Sequence, residues 1–217
     1  MTEEIQIKVC GLTSPGDAAF AAAAGADALG FILHLKSPRY VSLAQFRSMA
    51  HSLPRKTRVA VSVEPTTADL IAMRDAGFDS FQVHFRHDLA LDAIESWSAA
   101  VGAERLWLAP KLPPSVEVPE AWMRHSRTIL LDTFDPELFG GTGRTGDWPK
   151  FRRHREGYPK ETWVLSGGLN PDNVADALAG TGARFVDVNS GVESAPGVKD
   201  HAKVTAFITS VRKAAGR

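Results

Sequence analysis

Two side chains of this 217-residue chain have the type and setting for proton transfer: Cys10, in Lys8-Val9-Cys10-Gly11-Leu12-Thr13, and Asp132, in Leu130-Leu131-Asp132-Thr133. A free thiol titrates near about 8.5, so a neighbouring cation that lowers it modestly yields a base useful at neutral pH. Lys8 is placed to be that cation, because residues two apart on an extended strand share a face. Asp132 follows an apolar run, where a carboxylate gains nothing from packing and costs much unless exposed or paired. Taken alone, each residue has a plainer reading beside the chemical one. A lone cysteine is often a small buried hydrophobe, and an aspartate after a strand often caps the next loop.

Two further segments offer hydrogen-bond donors to an anion. Gly167-Gly168 lead into Leu169-Asn170-Pro171, read here as a helix N-terminus, where unpaired N–H groups and the helix dipole favour negative charge. Asn189-Ser190-Gly191 supplies a second set of donors. Gly141-Thr142-Gly143-Arg144-Thr145-Gly146 fits the dinucleotide G-x-G-x-x-G pattern, but it lies well past its strand and opens no apolar helix with an acidic partner, so nicotinamide binding is rejected. It is read instead as a glycine-rich lid beside Asp132, with the Thr142 and Gly143 N–H groups in reach of a phosphate. His84, His87 and Asp88 form a His-x-x-His-Asp cluster that no other ligand completes, so a substrate contact by His84 is favoured over a metal. No Gly-x-Ser-x-Gly elbow anchors serine hydrolysis.

Positioning these groups requires a scaffold. Apolar, β-rich segments recur at residues 5–10, 28–33, 58–63, 80–84, 105–111, 128–132, 162–166 and 185–189, with helical patterns between them. Helix punctuation supports the alternation: Ser14-Pro15 with Gly25 at the stop, the Ser42 and Gln45 capping box, and Asn170-Pro171 with Gly180 at the stop. The segment after the fifth strand, from Leu112-Pro113-Pro114, lacks a helical period and predicts an irregular crossover or short helix. Eight such units at this length predict an α/β fold closed into a single (β/α)8 TIM barrel over residues 1–217, with an open doubly wound sheet as the runner-up. Reacting groups in such a barrel sit at the C-terminal strand ends, where Cys10, Asp132, Gly167-Gly168 and Asn189-Ser190-Gly191 all fall. Phosphate bound between the last two loops is the usual arrangement, which predicts acid/base chemistry by Cys10 and Asp132 over a phosphate site.

Composition narrows the partners. Lys plus Arg and Asp plus Glu are both 25, so no basic excess points to nucleic acid. The basic 148–155 stretch is read as a solvated helix face. The apolar run 18–24 is far short of the roughly 20 residues that span a bilayer, so no membrane association is expected. One cysteine and no signal-like opening make the cytoplasm the expected compartment.

Taken together, these residues resemble the phosphoribosylanthranilate isomerase family of tryptophan biosynthesis. The resemblance runs through Lys8-Val9-Cys10-Gly11-Leu12-Thr13, Ser37-Pro38-Arg39-Tyr40-Val41, Gln82-Val83-His84, Leu131-Asp132-Thr133, Gly140-Gly141-Thr142-Gly143, Gly167-Gly168-Leu169-Asn170-Pro171-Asp172-Asn173, Val186-Asp187-Val188-Asn189-Ser190-Gly191-Val192-Glu193 and Pro196-Gly197-Val198-Lys199-Asp200. It implies an Amadori rearrangement of N-(5'-phosphoribosyl)anthranilate to the 1-deoxyribulose 5-phosphate ketose. Asp132 would protonate the ring oxygen and Cys10 would take the proton from sugar C2, while Arg39 would hold the anthranilate carboxylate. No metal or organic cofactor is implied. Departures from the family pattern cluster where the aromatic ring should lie: Ser62 and Glu64 replace phenylalanine and asparagine, Phe85 replaces glycine, and Leu33 and Gly146 replace aromatics. An inward Glu64 would repel the substrate carboxylate, and Phe85 would refill the space. Two alternatives follow: a divergent isomerase of another phosphoribosyl or ribulose-phosphate compound, and a non-catalytic phosphate-metabolite binder.

Overall fold

The computed structural model describes residues 4–132 and 147–216. Eight parallel strands, β1 (Gln6–Val9), β2 (Ala28–Ile32), β3 (Thr57–Val63), β4 (Ser80–Arg86), β5 (Leu106–Lys111), β6 (Thr128–Leu131), β7 (Thr162–Leu165) and β8 (Phe185–Val188), close in sequence order into a barrel. The closing pair runs Gln6–Phe185 to Val9–Val188 in register, so the expected barrel, and not the open sheet, is the architecture. All eight strands lie where sequence alternation puts them; β4 runs two residues further, pairing with β5 as far as Arg86–Lys111.

Helices α1 (Pro15–Ala24), α2 (Leu43–Met49), α3 (Thr67–Asp75), α4 (Leu91–Val101), α5 (Trp148–Gly157), α6 (Val174–Thr181) and α7 (His201–Ala214) occupy the connections. After β5 the crossover holds only a 3-10 turn, Glu120–Arg124, as its missing helical period foretold. The expected caps of α1 and α2 are present: the Ser14 hydroxyl accepts from Asp17 N at 3.1 Å, Gly25 closes α1 at φ 116, and Ser42 and Gln45 form a reciprocal box. The basic α5 is not wholly solvated: Lys150 is buried, its ammonium donating to the Pro113 carbonyl at 2.9 Å.

The entry to α6 departs from expectation. The helix begins at Val174 and ends at Gly182 in the left-handed region, rather than running from Asn170-Pro171 to Gly180. The cause is local side-chain competition with the helix. The Asn170 carboxamide oxygen accepts from Asp172 N (2.9 Å) and Asn173 N (3.1 Å), while Asn173 Oδ1 accepts from Asn170 N at 2.9 Å. These bonds close a turn and delay the helix by about one turn.

Alternation along the strands makes two cores. Ile7, Val9, Phe31, Ala60, Phe81, Val83 and Phe85 face the helical layer, whereas Ala28, Val59, Val61, Trp107, Ala109, Leu130, Val164 and Phe185 fill the barrel. Lys8, Gln82 and Asp187 are buried inward polar positions beneath the barrel mouth, while Ser80 and Thr128 are buried at the opposite strand ends. A short antiparallel hairpin, β9 (Glu193–Ala195) and β10 (Val198–Lys199), follows β8 and was not foreseen. No helix among the described residues is long and apolar enough to cross a membrane.

Candidate active site

Cys10, Asp132, Ser166 and Asn189 each stand one residue past the end of β1, β6, β7 and β8. They open on one cavity of about 620 Å³ at the C-terminal mouth, also lined by His34, Arg39, Ser62, Gln82, His84, Gly167, Gly168, Asp187 and Ser190. That volume suits a small metabolite.

Its floor is an ion pair beneath the thiol. Lys8 Nζ lies 2.9 Å from Asp187 Oδ1, and both side chains are buried. Ser166 Oγ stands 3.5 Å from Asp187 Oδ2. A Cβ on Gly30 of β2 would come within 2.9 Å of both Cys10 Sγ and Lys8 Cε, so glycine there lets thiol and ammonium stem lie side by side. Burial would lower the Lys8 ammonium, but Asp187 and Cys10 hold it above its usual range. The expected acidification of Cys10 is corrected: burial pushes its thiol up and outweighs the pull of Lys8, whose charge Asp187 also answers.

Arg39, in the β2–α2 loop, is held across 154 residues by Glu193 of β9. Its Nε and Nη2 donate to the Glu193 carboxylate at 2.9 and 2.7 Å. Lys199 Nζ donates to the same carboxylate at 2.8 Å and to Asn189 Oδ1 at 3.1 Å. Burial alone would raise Glu193, but its bonds to Arg39 and Lys199 keep it below the usual carboxylate range. The planar fork expected for a substrate carboxylate is therefore engaged by Glu193 along its Nε–Nη2 edge. Gly11, at φ 70, permits this packing: a Cβ there would collide with Asn189 Oδ1 and stand 2.7 Å from Arg39 Cδ.

Gly167 and Gly168 adopt φ 91 and 63, conformations that favour glycine. The N–H groups of Asn170, Asp172 and Asn173 are consumed by asparagine side chains, so the expected anion site at the α6 N-terminus is corrected. The glycine turn and a 3-10 turn, Ser190–Val192, border the cavity on this side. Gly191 does not line the cavity; a Cβ on it would collide with the Leu169 carbonyl, so glycine there lets the last two loops touch. Thr142 and Gly143, with the rest of the glycine-rich segment and Gly146, lie outside the described residues.

The β3–β4 side answers the question of the aromatic pocket. His84 lines the cavity and is pushed down to about 3 by burial, then by Lys8 and His34, so it is neutral near pH 7. Its Nε2 lies 2.8 Å from the Gln82 amide nitrogen, which donates to the neutral ring. Glu64 does not point inward: at φ 42 it turns away, accepts from Arg86 N at 3.0 Å and lies 3.8 Å from the Arg86 guanidinium. Phe85 does not refill the cavity, because it packs edge-on against Trp97 and Trp122 in the helical layer. Ser62 pairs with Val83 and shares the strand parity of Ala60, but it sits at the upper end of β3 and lines the cavity, so a serine there in place of an aromatic removes apolar surface from that wall. Leu33 is likewise packed against the outer core, with Ile32 lining the cavity. His87 and Asp88 stay in a surface turn, Asp88 within 3.5 Å of Arg86. Among the described residues, no group of three His, Cys, Asp or Glu could hold a metal ion.

Sequence reasoning singled out Cys10, Asp132, Arg39, His84, Gly167, Gly168, Asn189 and Ser190, and all line the one cavity. It missed Gln82, Asp187, Glu193 and Lys199 as site-building residues. Their signal was present as buried polar residues on strands or beside glycines, but their partners are far away in sequence.

Comparison with known proteins gives a consistent result. Residues 7–210 match the family model described as N-(5'phosphoribosyl)anthranilate (PRA) isomerase. An N-(5'-phosphoribosyl)anthranilate isomerase of Synechococcus elongatus is 37% identical over 215 residues, covering 96% of this chain and 97% of its own. A solved structure from Jonesia denitrificans is 36% identical with a TM-score of 0.78, covering 97% of this chain and 98% of that one. Another phosphoribosyl anthranilate isomerase, solved with reduced 1-(o-carboxyphenylamino)-1-deoxyribulose 5-phosphate, is 30% identical with a TM-score of 0.76, over 96% of this chain and 99% of that one. The chain belongs to the N-(5'-phosphoribosyl)anthranilate isomerase family.

Proposed function

We infer that the cavity converts N-(5'-phosphoribosyl)anthranilate into 1-(2-carboxyphenylamino)-1-deoxyribulose 5-phosphate, an aldose–ketose isomerisation in tryptophan biosynthesis. The observation that carries this reading is the placement of Cys10 and Asp132 at the ends of β1 and β6, on different walls of one cavity. The Gly167-Gly168 turn and Ser190–Val192 offer donors to a phosphate between them. Arg39 and His84 lie on the other side, where the anthranilate would rest.

With the substrate so aligned, Asp132 gives its proton to the furanose oxygen as the C1–O bond breaks, leaving a protonated Schiff base. The iminium acidifies C2–H, and the Cys10 sulfur, as thiolate, takes that proton. The electron pair moves into the C1–C2 bond to give an enolamine, which ketonises to the product. Each positioned proton transfer is worth about 10²–10⁴-fold. Asn189 is placed to meet the phosphate or sugar, and the Thr142 and Gly143 N–H groups are assigned to the phosphate by family resemblance. Residues 1–217 act as one domain on a small phosphoribosyl molecule in the cytoplasm. The reading of altered substrate preference keeps only Ser62, which lines the cavity, since Glu64 and Phe85 face away from it.

The test is growth rescue of a tryptophan auxotroph lacking this step, together with turnover by purified protein. Rescue and turnover are expected; a folded protein that leaves the substrate unchanged would overturn the reading.

A further inference from the structure

Cys10 meets two conflicting demands. To accept a proton it must reach the thiolate, which burial opposes, yet a thiolate stabilised too strongly becomes a poor base for a carbon-bound proton. The cavity floor addresses both. Lys8 approaches the sulfur through the space that Gly30 leaves, and Asp187 takes the same ammonium at 2.9 Å from the adjacent strand. Lys8 and Asp187 are both inward on β1 and β8, paired directly in register, and neither has a packing reason to be charged there.

We propose that Lys8 and Asp187 are opposed positioning residues for the base: Lys8 makes the Cys10 thiolate attainable, and Asp187 draws off enough of that charge to keep the sulfur basic. This rests on Cys10 being the base of the proposed reaction. The directions agree with the electrostatics, since Lys8 lowers and Asp187 raises the thiol. The other charged groups around the sulfur are already committed. Lys199 and Arg39 are both tied to Glu193, and His84 is neutral near pH 7. Asp132 lines the opposite wall, and His34 stands nearer His84. A purely structural ion pair would also bury Lys8 and Asp187, but it would not set the sulfur's titration in opposite directions on loss of each partner.

The test is alkylation of Cys10 by iodoacetamide as a function of pH, run beside the pH profile of kcat, on the whole protein. Lys8→Met moves the alkylation midpoint up and lowers kcat at pH 7 by about 10²-fold, with partial recovery at higher pH. Asp187→Asn moves the midpoint down and extends the acid limb of the kcat profile, while the plateau falls by about ten-fold as the base weakens. Midpoints that move in the same direction, or that stay in place, overturn the proposal. Should either single variant fail to fold, the other alone decides, Lys8→Met by raising the midpoint or Asp187→Asn by lowering it, and if both fail the milder Lys8→Gln and Asp187→Ser take their place with the same expected directions; an unmoved midpoint refutes the idea. Alkylation does not depend on turnover, so its failure is distinct from failure of the isomerase reading, which shows as no turnover by the folded wild-type protein, and from failure of the base assignment, which shows as full activity in Cys10→Ala.

Discussion

The two sides of the cavity are built differently. Along β1, β8 and the β9–β10 hairpin, polar groups are tied to one another: Lys8 to Asp187, Arg39 to Glu193, Lys199 to Glu193 and Asn189. Along β3 and β4, the buried Gln82 Oε1 and Ser62 Oγ have no hydrogen-bond partner among the described residues. A buried acceptor without a partner costs about 1–3 kcal/mol. The first wall is thus organised before substrate arrives, as proton transfer and phosphate binding require. On the second wall, Gln82 and Ser62 both border the cavity and leave polar atoms without a protein partner.

Variants can break or sharpen this contrast. The largest effect belongs to the proposed acid: Asp132→Asn lowers kcat by about 10²–10⁴-fold with KM little changed, measured in steady-state turnover. Arg39→Lys loses the fork shared with Glu193 and raises KM by about ten-fold or more while kcat changes less, since it touches binding rather than proton transfer. Gln82→Leu should do two opposite things. Removing the orphaned oxygen relieves about 1–3 kcal/mol, but losing the amide bond leaves His84 Nε2 unpaired at a similar cost, so the unfolding free energy in denaturant titration changes by less than about 1 kcal/mol while KM rises about ten-fold.

The pH dependence of folding separates the walls further. His84 titrates near 3 when folded against 6.5 when unfolded, so below 6.5 the unfolded chain binds the extra proton. Stability is lost as pH falls from 6.5 toward 3, and His84→Gln flattens that part of the unfolding profile. Ser62→Ala, the smallest change, raises stability by about 1 kcal/mol or less and leaves kcat/KM little changed; a clear rise in KM would show that the Ser62 hydroxyl itself contacts the substrate.

Much of this was legible in the sequence because it is local. Alternating apolar runs fixed the strands, and strand ends placed Cys10, Asp132 and Asn189 at the mouth. What escaped depends on contacts that no spacing encodes. Glu193 meets Arg39 from 154 residues away, and Lys8 meets Asp187 from 179. The α6 boundary moved because Asn170 and Asn173 bond each other's backbone, a choice made by two side chains against the helix. Glu64 was expected to matter by its charge, yet a single left-handed residue after β3 turns it toward Arg86. The acidity of Cys10 was misjudged for a related reason: sequence showed Lys8 beside it, but not the burial or Asp187 that oppose Lys8.

The central claim, that the Cys10 sulfur removes the proton from sugar C2, is tested most directly by turnover of N-(5'-phosphoribosyl)anthranilate with purified Cys10→Ala beside wild type. Loss of about 10²–10⁴-fold in kcat with substrate binding retained is the predicted result. Turnover by folded Cys10→Ala at the wild-type rate would contradict it.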